Sequence, residues 1–210
     1  ELLWPEGPPY TGELVHRFVE RLARNGVDTF LVNPNAQTAW YPSKKLENLF
    51  ARYTRGNRDF FLGQAQAYKI PPAKLARFLD DCVAFYDQYL DWLDAGVDWL
   101  AEAAKACRRY GVSPWLSVRL NDMHGADNPA GSYLNCELFK HARYRLRGEK
   151  LNPARGPRIY WQALNYEHRE VRDYFFSVIH EGVEDYGYDG LELDWLRNPH
   201  CCEPGATQKT

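Results

Sequence analysis

The chain has 210 residues, 45% hydrophobic, 26% charged and 15% aromatic, a mix that buries one sizeable core and excludes disorder. With 26 Lys and Arg against 28 Asp and Glu the net charge is -2, so no basic field gathers phosphate backbones and nucleic acid is not an expected partner. No apolar run reaches the ~18 to 20 residues that span a bilayer, so a membrane is not expected either.

The first periodic segment runs from Glu13 to Arg24, with Leu14, Val15, Phe18, Val19 and Leu22 on one face and Arg17, Arg21 and Arg24 on the other. That spacing predicts a surface-packed helix. Asn25-Gly26 stops it, and Val27 to Val32 follows as a nearly continuous apolar run, the pattern of a strand covered on both faces. A second helical stretch extends from Ala73 to Tyr110, with a break expected at Gly96, and stops at Gly111 before a strand over Pro114 to Leu120. The segment 125–158 is dense in Gly, Pro, Asn and Arg and reads as a long loop insertion with one short helix over Leu138 to Tyr144. Helical periodicity returns from Glu170 through Val183, and Gly187 to Trp195 closes the series as a strand.

Helix-then-strand units in succession predict a parallel α/β architecture. The first connection lacks a Gly-x-Gly-x-x-Gly fingerprint and polar residues follow every strand, which favours a (β/α)8 TIM barrel over a doubly wound sheet. A complete barrel takes ~250 residues. The expectation is therefore a single partial domain over 1–210 holding the N-terminal half of a barrel, with Leu2-Leu3-Trp4 as the tail of its first strand. The chain begins at Glu1 rather than Met, which leaves room for a secretory signal upstream. The five cysteines lack paired metal-ligand spacing and read as free thiols.

Chemistry in such a fold sits where the strands end. Those positions hold Asn33 and Asn35; Arg119, Asn121, Asp122 and His124; and Glu192, Asp194, Trp195 and Arg197. Asn33 and Asn35 serve equally well as turn residues around Pro34, and Trp40 and Tyr41 either stack on a sugar ring or cover the site. Along the last strand Leu191, Leu193 and Trp195 face one way while Glu192 and Asp194 face the other, with Cα atoms ~6.6 Å apart. Leucines toward the helices put both carboxylates on the inner face, where burying them costs several kcal/mol unless they are paired. Asp194, nearer the mouth, is the candidate for direct chemistry, and Glu192 orients it or raises its pKa. Asp122 and His124 suit a shared metal, but two ligands do not make a site, so neither metal nor cofactor is expected. A Gly-x-Ser-x-Gly elbow is missing from the sequence.

At Ser117 to His124, at Ala163-Leu164-Asn165-Tyr166 and from Glu170 to Tyr174, and at Tyr188 to Trp195, the chain resembles the glycoside-hydrolase-like TIM-barrel proteins, including glycoside-hydrolase-like family 10. That resemblance implies a barrel acting on carbohydrate with an acidic residue, here Asp194, at the end of the fourth strand, and it adds Asn165 to the substrate-binding candidates. The last strand is also similar to the family 18 signature Asp-x-x-Asp-x-Asp-x-Glu, but the catalytic Glu position is Leu196, which cannot protonate a leaving group. The expected activity is a glycosidase with Asp194 as nucleophile or transition-state stabiliser and a general acid from a later strand. The alternatives are a carbohydrate-binding barrel without catalysis and a metal hydrolase built on Asp122 and His124.

Overall fold

The computed structural model describes residues 11–126, 128–147, 162–196, 198 and 200–203. Helix α1 (Gly12–Arg24) buries Leu14, Val15 and Val19 and leads into β1 (Thr29–Val32). A long loop and a 3-10 turn then bring in α2 (Leu62–Ala67) and α3 (Pro72–Asp94). Gly96, at φ 73°, separates α3 from α4 (Trp99–Tyr110), a backbone state that glycine reaches without steric cost. Asp98 caps α4 through Leu100 N at 3.1 Å and Ala101 N at 3.3 Å, and Gly111 in the left-handed region ends it.

Strand β2 (Ser113–Arg119) follows, then the short α5 (Glu137–Lys140), α6 (Arg169–His180), a π-helical turn (Glu181–Asp185) and β3 (Gly190–Asp194). The strands pair in parallel in the order β1-β2-β3. Register sorts the two faces. Val32, Leu116 and Val118 are buried and Leu191 packs on the same core. Leu31, Trp115, Ser117 and Glu192, with Arg119 and Asp194 above them, share the opposite face. α1 packs on α4 around Val19, Ala106, Cys107 and Val112, and α6 with its π-helical turn lies against β2.

This sheet corrects the barrel expectation. The described residues form an open three-stranded sheet in which β1 and β3 are both edges, not a closed (β/α)8 barrel. A missing glycine fingerprint excludes one kind of nucleotide-binding connection, and polar residues gather at the carboxyl ends of strands in open parallel sheets as well. Neither observation distinguishes an open sheet from a closed one. Leu193 reflects the open edge: it pairs with the buried Val118 yet is 48% exposed, where a helix-covered position was expected. The expected strand tail at Leu2-Leu3-Trp4 and residues 148–158 of the loop insertion lie outside the described residues. Among the described residues no helix is long and apolar enough to cross a membrane, and all five cysteines are free thiols.

The approach of the π-helical turn to β2 is close. A Cβ on Gly182 would lie 2.1 Å from Leu116 Cδ1, and Leu116 is fully buried. Gly182→Ala is expected to cost about 1 to 3 kcal/mol through overpacking. Urea unfolding reads this as a lower midpoint with an unchanged slope.

Candidate functional site

Beyond β1 the backbone no longer pairs with β2, and two side chains continue the ladder in its place. Asn33 Nδ2 donates to Ser117 O at 2.7 Å. Asn35 Nδ2 donates to Arg119 O at 2.8 Å, and Asn35 Oδ1 accepts from Arg119 N at 3.2 Å. Asn35 is thus a buried clip that fixes Arg119 at the strand end. Asn33 Oδ1 is buried with no hydrogen-bond partner, so it keeps an acceptor unused.

Arg119 organises what lies above. Its Nη1 is 3.1 Å from Asp122 Oδ2, its Nε is 3.9 Å from Asp194 Oδ2, and its guanidinium lies 6.0 Å from the centre of the Trp40 ring. Asp122, with a side chain 1% exposed, also accepts from His124 N at 2.9 Å and approaches His124 Nδ1 at 2.8 Å. A carboxylate on Nδ1 favours the proton there and leaves Nε2 as the free nitrogen of His124. The two Asp122 oxygens are engaged by His124 and Arg119, and a cation at this pair would meet a guanidinium. Among the described residues no group of three His, Cys, Asp or Glu is placed to hold a metal ion.

Burial alone would raise the Asp122 carboxyl, but the hydrogen bonds from His124 and the charge of Arg119 outweigh it and hold the group below its ordinary value. A depressed folded-state pKa contributes stability above the unfolded value, about 3.9, and that contribution disappears as pH falls through the lower folded value. Urea unfolding between pH 7 and pH 3 is expected to show a smaller acid loss in Asp122→Asn than in the parent chain. An equal loss in both would remove Asp122 from the account.

Beside this cluster lies an aromatic cavity of about 570 Å³. Phe78, Cys82, Phe85, Tyr89 and Trp92 recur at helical spacing along one stripe of α3 and form one wall. Trp40, Phe50, Tyr133 and His124 close the other side. The Trp40 ring therefore joins the polar cluster to the cavity, and His124 belongs to both. Trp40 is fixed through its carbonyl, which accepts from Trp99 Nε1 at 2.6 Å and from the Tyr89 hydroxyl.

The remaining sequence candidates are spread more widely. Asp194, its side chain 16% exposed, accepts from Leu196 N at 2.9 Å through Oδ1. Glu192 is exposed on the same face, one pair further down the strand. Asn121 is 2% exposed; its Nδ2 donates to His200 O while Oδ1 has no hydrogen-bond partner. Trp195 packs edge-on against Tyr166 at 4.9 Å, and the Tyr166 hydroxyl donates to Leu120 O. Tyr41 offers no platform: it is fully buried, donating to Glu181 Oε2 at 2.7 Å. Asn165 is 5% exposed and lines a separate cavity with three arginines. Arg197 lies outside the described residues.

Sequence reasoning missed Glu181, Tyr166 and the aromatic cavity. The α3 stripe was visible as a 3.6-residue period, whereas Glu181 occupies a polar-looking position in a helical run and nothing local marks it as buried. No protein-family model matches the chain and no curated protein matches it, so the likeness to glycoside-hydrolase-like proteins rests on the motifs alone.

Proposed function

We propose that the chain is a glycoside hydrolase acting on an oligo- or polysaccharide at the carboxyl ends of β2 and β3. The observation that carries this reading is Asp194, a part-exposed carboxylate set beside Arg119 at a mouth that shares Trp40 with a large aromatic cavity. One Asp194 oxygen is occupied by Leu196 N, and the other has Arg119 Nε at 3.9 Å, beyond hydrogen-bond reach. That oxygen is placed to attack an anomeric carbon or to stabilise an oxocarbenium-like transition state. Aromatic rings beside hydrogen-bonding groups suit a sugar, which has apolar faces and a polar rim. Glu192 supports Asp194 from the same strand face, and His124 Nε2 is the ring nitrogen that Asp122 leaves unengaged.

A second reading, a carbohydrate-binding domain without catalysis, draws support from Asp122, whose carboxylate is fully engaged and cannot serve as a second catalytic carboxyl. One experiment separates the two. The chain is incubated with a panel of aryl glycosides and oligosaccharides while new reducing ends and bound ligand are both followed. Hydrolysis of any member supports the enzyme, and saturable binding without new reducing ends supports the binding domain. If no member is bound or cleaved, both readings fall.

A further inference from the structure

A second cavity, of about 260 Å³, is lined by Arg143, Arg145, Arg147, Asn165 and His168 together with Glu167 and Glu203. The arginines recur at every second residue. Between them Tyr144 and Leu146 are buried, and the segment pairs with the chain around Leu164 through Leu146 N to Ala163 O at 2.8 Å and Asn165 N to Tyr144 O at 2.7 Å. Extended backbone with alternating burial sets Arg145 and Arg147 on one side.

Elsewhere in the chain Arg24, Arg52, Arg55, Arg58, Arg108 and Arg169 each lie within 3.6 Å of a carboxylate. Among the described residues none of the three cavity arginines has such a partner. Arg143 bonds to the Tyr144 hydroxyl at 2.5 Å, Arg145 lies over the Phe139 ring at 5.6 Å, and Arg145 Nε is buried with no hydrogen-bond partner. Burial pushes the Arg145 guanidinium below its ordinary value, and no neighbouring carboxylate opposes the shift. The two lining glutamates bond to the frame instead: Glu203 Oε1 accepts from Arg147 N at 2.7 Å, and Glu167 Oε2 from Asn165 Nδ2 at 3.1 Å and Glu203 N at 3.3 Å. Three guanidinium groups around one cavity, none in an ion pair with a carboxylate among the described residues, match the chemistry of a ligand oxyanion, which an arginine fork binds through two parallel hydrogen bonds.

We propose that this cavity binds the oxyanion of an acidic saccharide, a uronate carboxylate or a sulfate ester. Asn165 in the cavity lining is followed by Tyr166, whose hydroxyl holds Leu120 O and whose ring meets Trp195 at the end of β3. This assignment of substrate class rests on the glycosidase reading; oxyanion binding itself does not.

The test is calorimetry on the full chain at low salt with glucuronate, inorganic sulfate and glucose. Glucuronate or sulfate is expected to bind in preference to glucose, the tighter of the two identifying the source, and Arg145→Gln is expected to weaken binding about ten- to a hundredfold. Arg147→Gln, at an exposed position, gives the same direction should Arg145→Gln fail to fold. Asp194→Asn is expected to leave oxyanion binding unchanged. Equal affinity for glucose and glucuronate with no sulfate binding, or arginine variants that fold and bind like the parent, overturns the proposal. Oxyanion binding without hydrolysis of any glycoside leaves the cavity assigned and removes the glycosidase reading; hydrolysis of neutral glycosides without oxyanion binding does the reverse.

Discussion

Asp194→Asn is expected to lower turnover by about 10³-fold or more while leaving saccharide affinity largely intact. The substitution keeps the shape of the side chain and its acceptor for Leu196 N, so the loop after β3 holds its course. What disappears is the negative charge beside Arg119, and that charge interacts with the developing oxocarbenium far more strongly than with the ground-state sugar. The loss therefore belongs in kcat rather than in KM. Glu192→Gln, on the same face but exposed and one pair further from the mouth, is expected to cost about 10- to 100-fold, by analogy with supporting groups at metal sites. Kinetics of both variants on one substrate check the assignment, and a larger loss at Glu192 than at Asp194 reverses the two roles.

Glu181→Ala is expected to destabilise the chain by about 3 to 5 kcal/mol. The carboxylate is 1% exposed and collects the Tyr41 hydroxyl at 2.7 Å, Ser43 Oγ at 2.5 Å and Lys44 N at 2.8 Å. Burial and the adjacent carboxylate hold the Tyr41 phenol above its ordinary value, so it remains a donor. Alanine strands three donors in or near the core and opens space in the π-helical turn that packs on Leu116. Glu181→Gln fills that space and retains one acceptor, so it is expected to recover part of the loss. Trp40 immediately precedes the segment held by this carboxylate, so the alanine variant is also expected to weaken saccharide binding. Urea unfolding with ligand titration on the same samples measures both effects, and a Glu181→Ala chain as stable as the parent contradicts the account of this anchor.

Elements with strong periodicity were legible in the sequence. The helix at Gly12–Arg24, the break at Gly96 and the three strands fall where apolar spacing and glycine stops place them. The closure of the sheet was not legible, because strand pattern records which faces are covered and says nothing of what lies beside an edge. At the site, the alternation along Gly190–Asp194 separates Glu192 and Asp194 from Leu191 and Leu193, whereas the register that sets Asp194 opposite Arg119 is not contained in it. The roles of Asn33 and Asn35 as side-chain rungs, the burial of Tyr41 against Glu181 and the convergence of three arginines near Asn165 depend on contacts between residues far apart in sequence, which local pattern does not encode. Asp122 and His124 illustrate the same limit: their spacing suits a shared metal as well as a hydrogen bond, and the guanidinium of Arg119 on Asp122 is not contained in that spacing.

The structure of the Asp194→Asn chain with an oligosaccharide bound tests the central claim most directly. The account predicts a sugar ring against Trp40 with its anomeric carbon about 3 to 3.5 Å from the substituted side chain. A saccharide ordered elsewhere on the surface, with only solvent between Trp40 and residue 194, would contradict it.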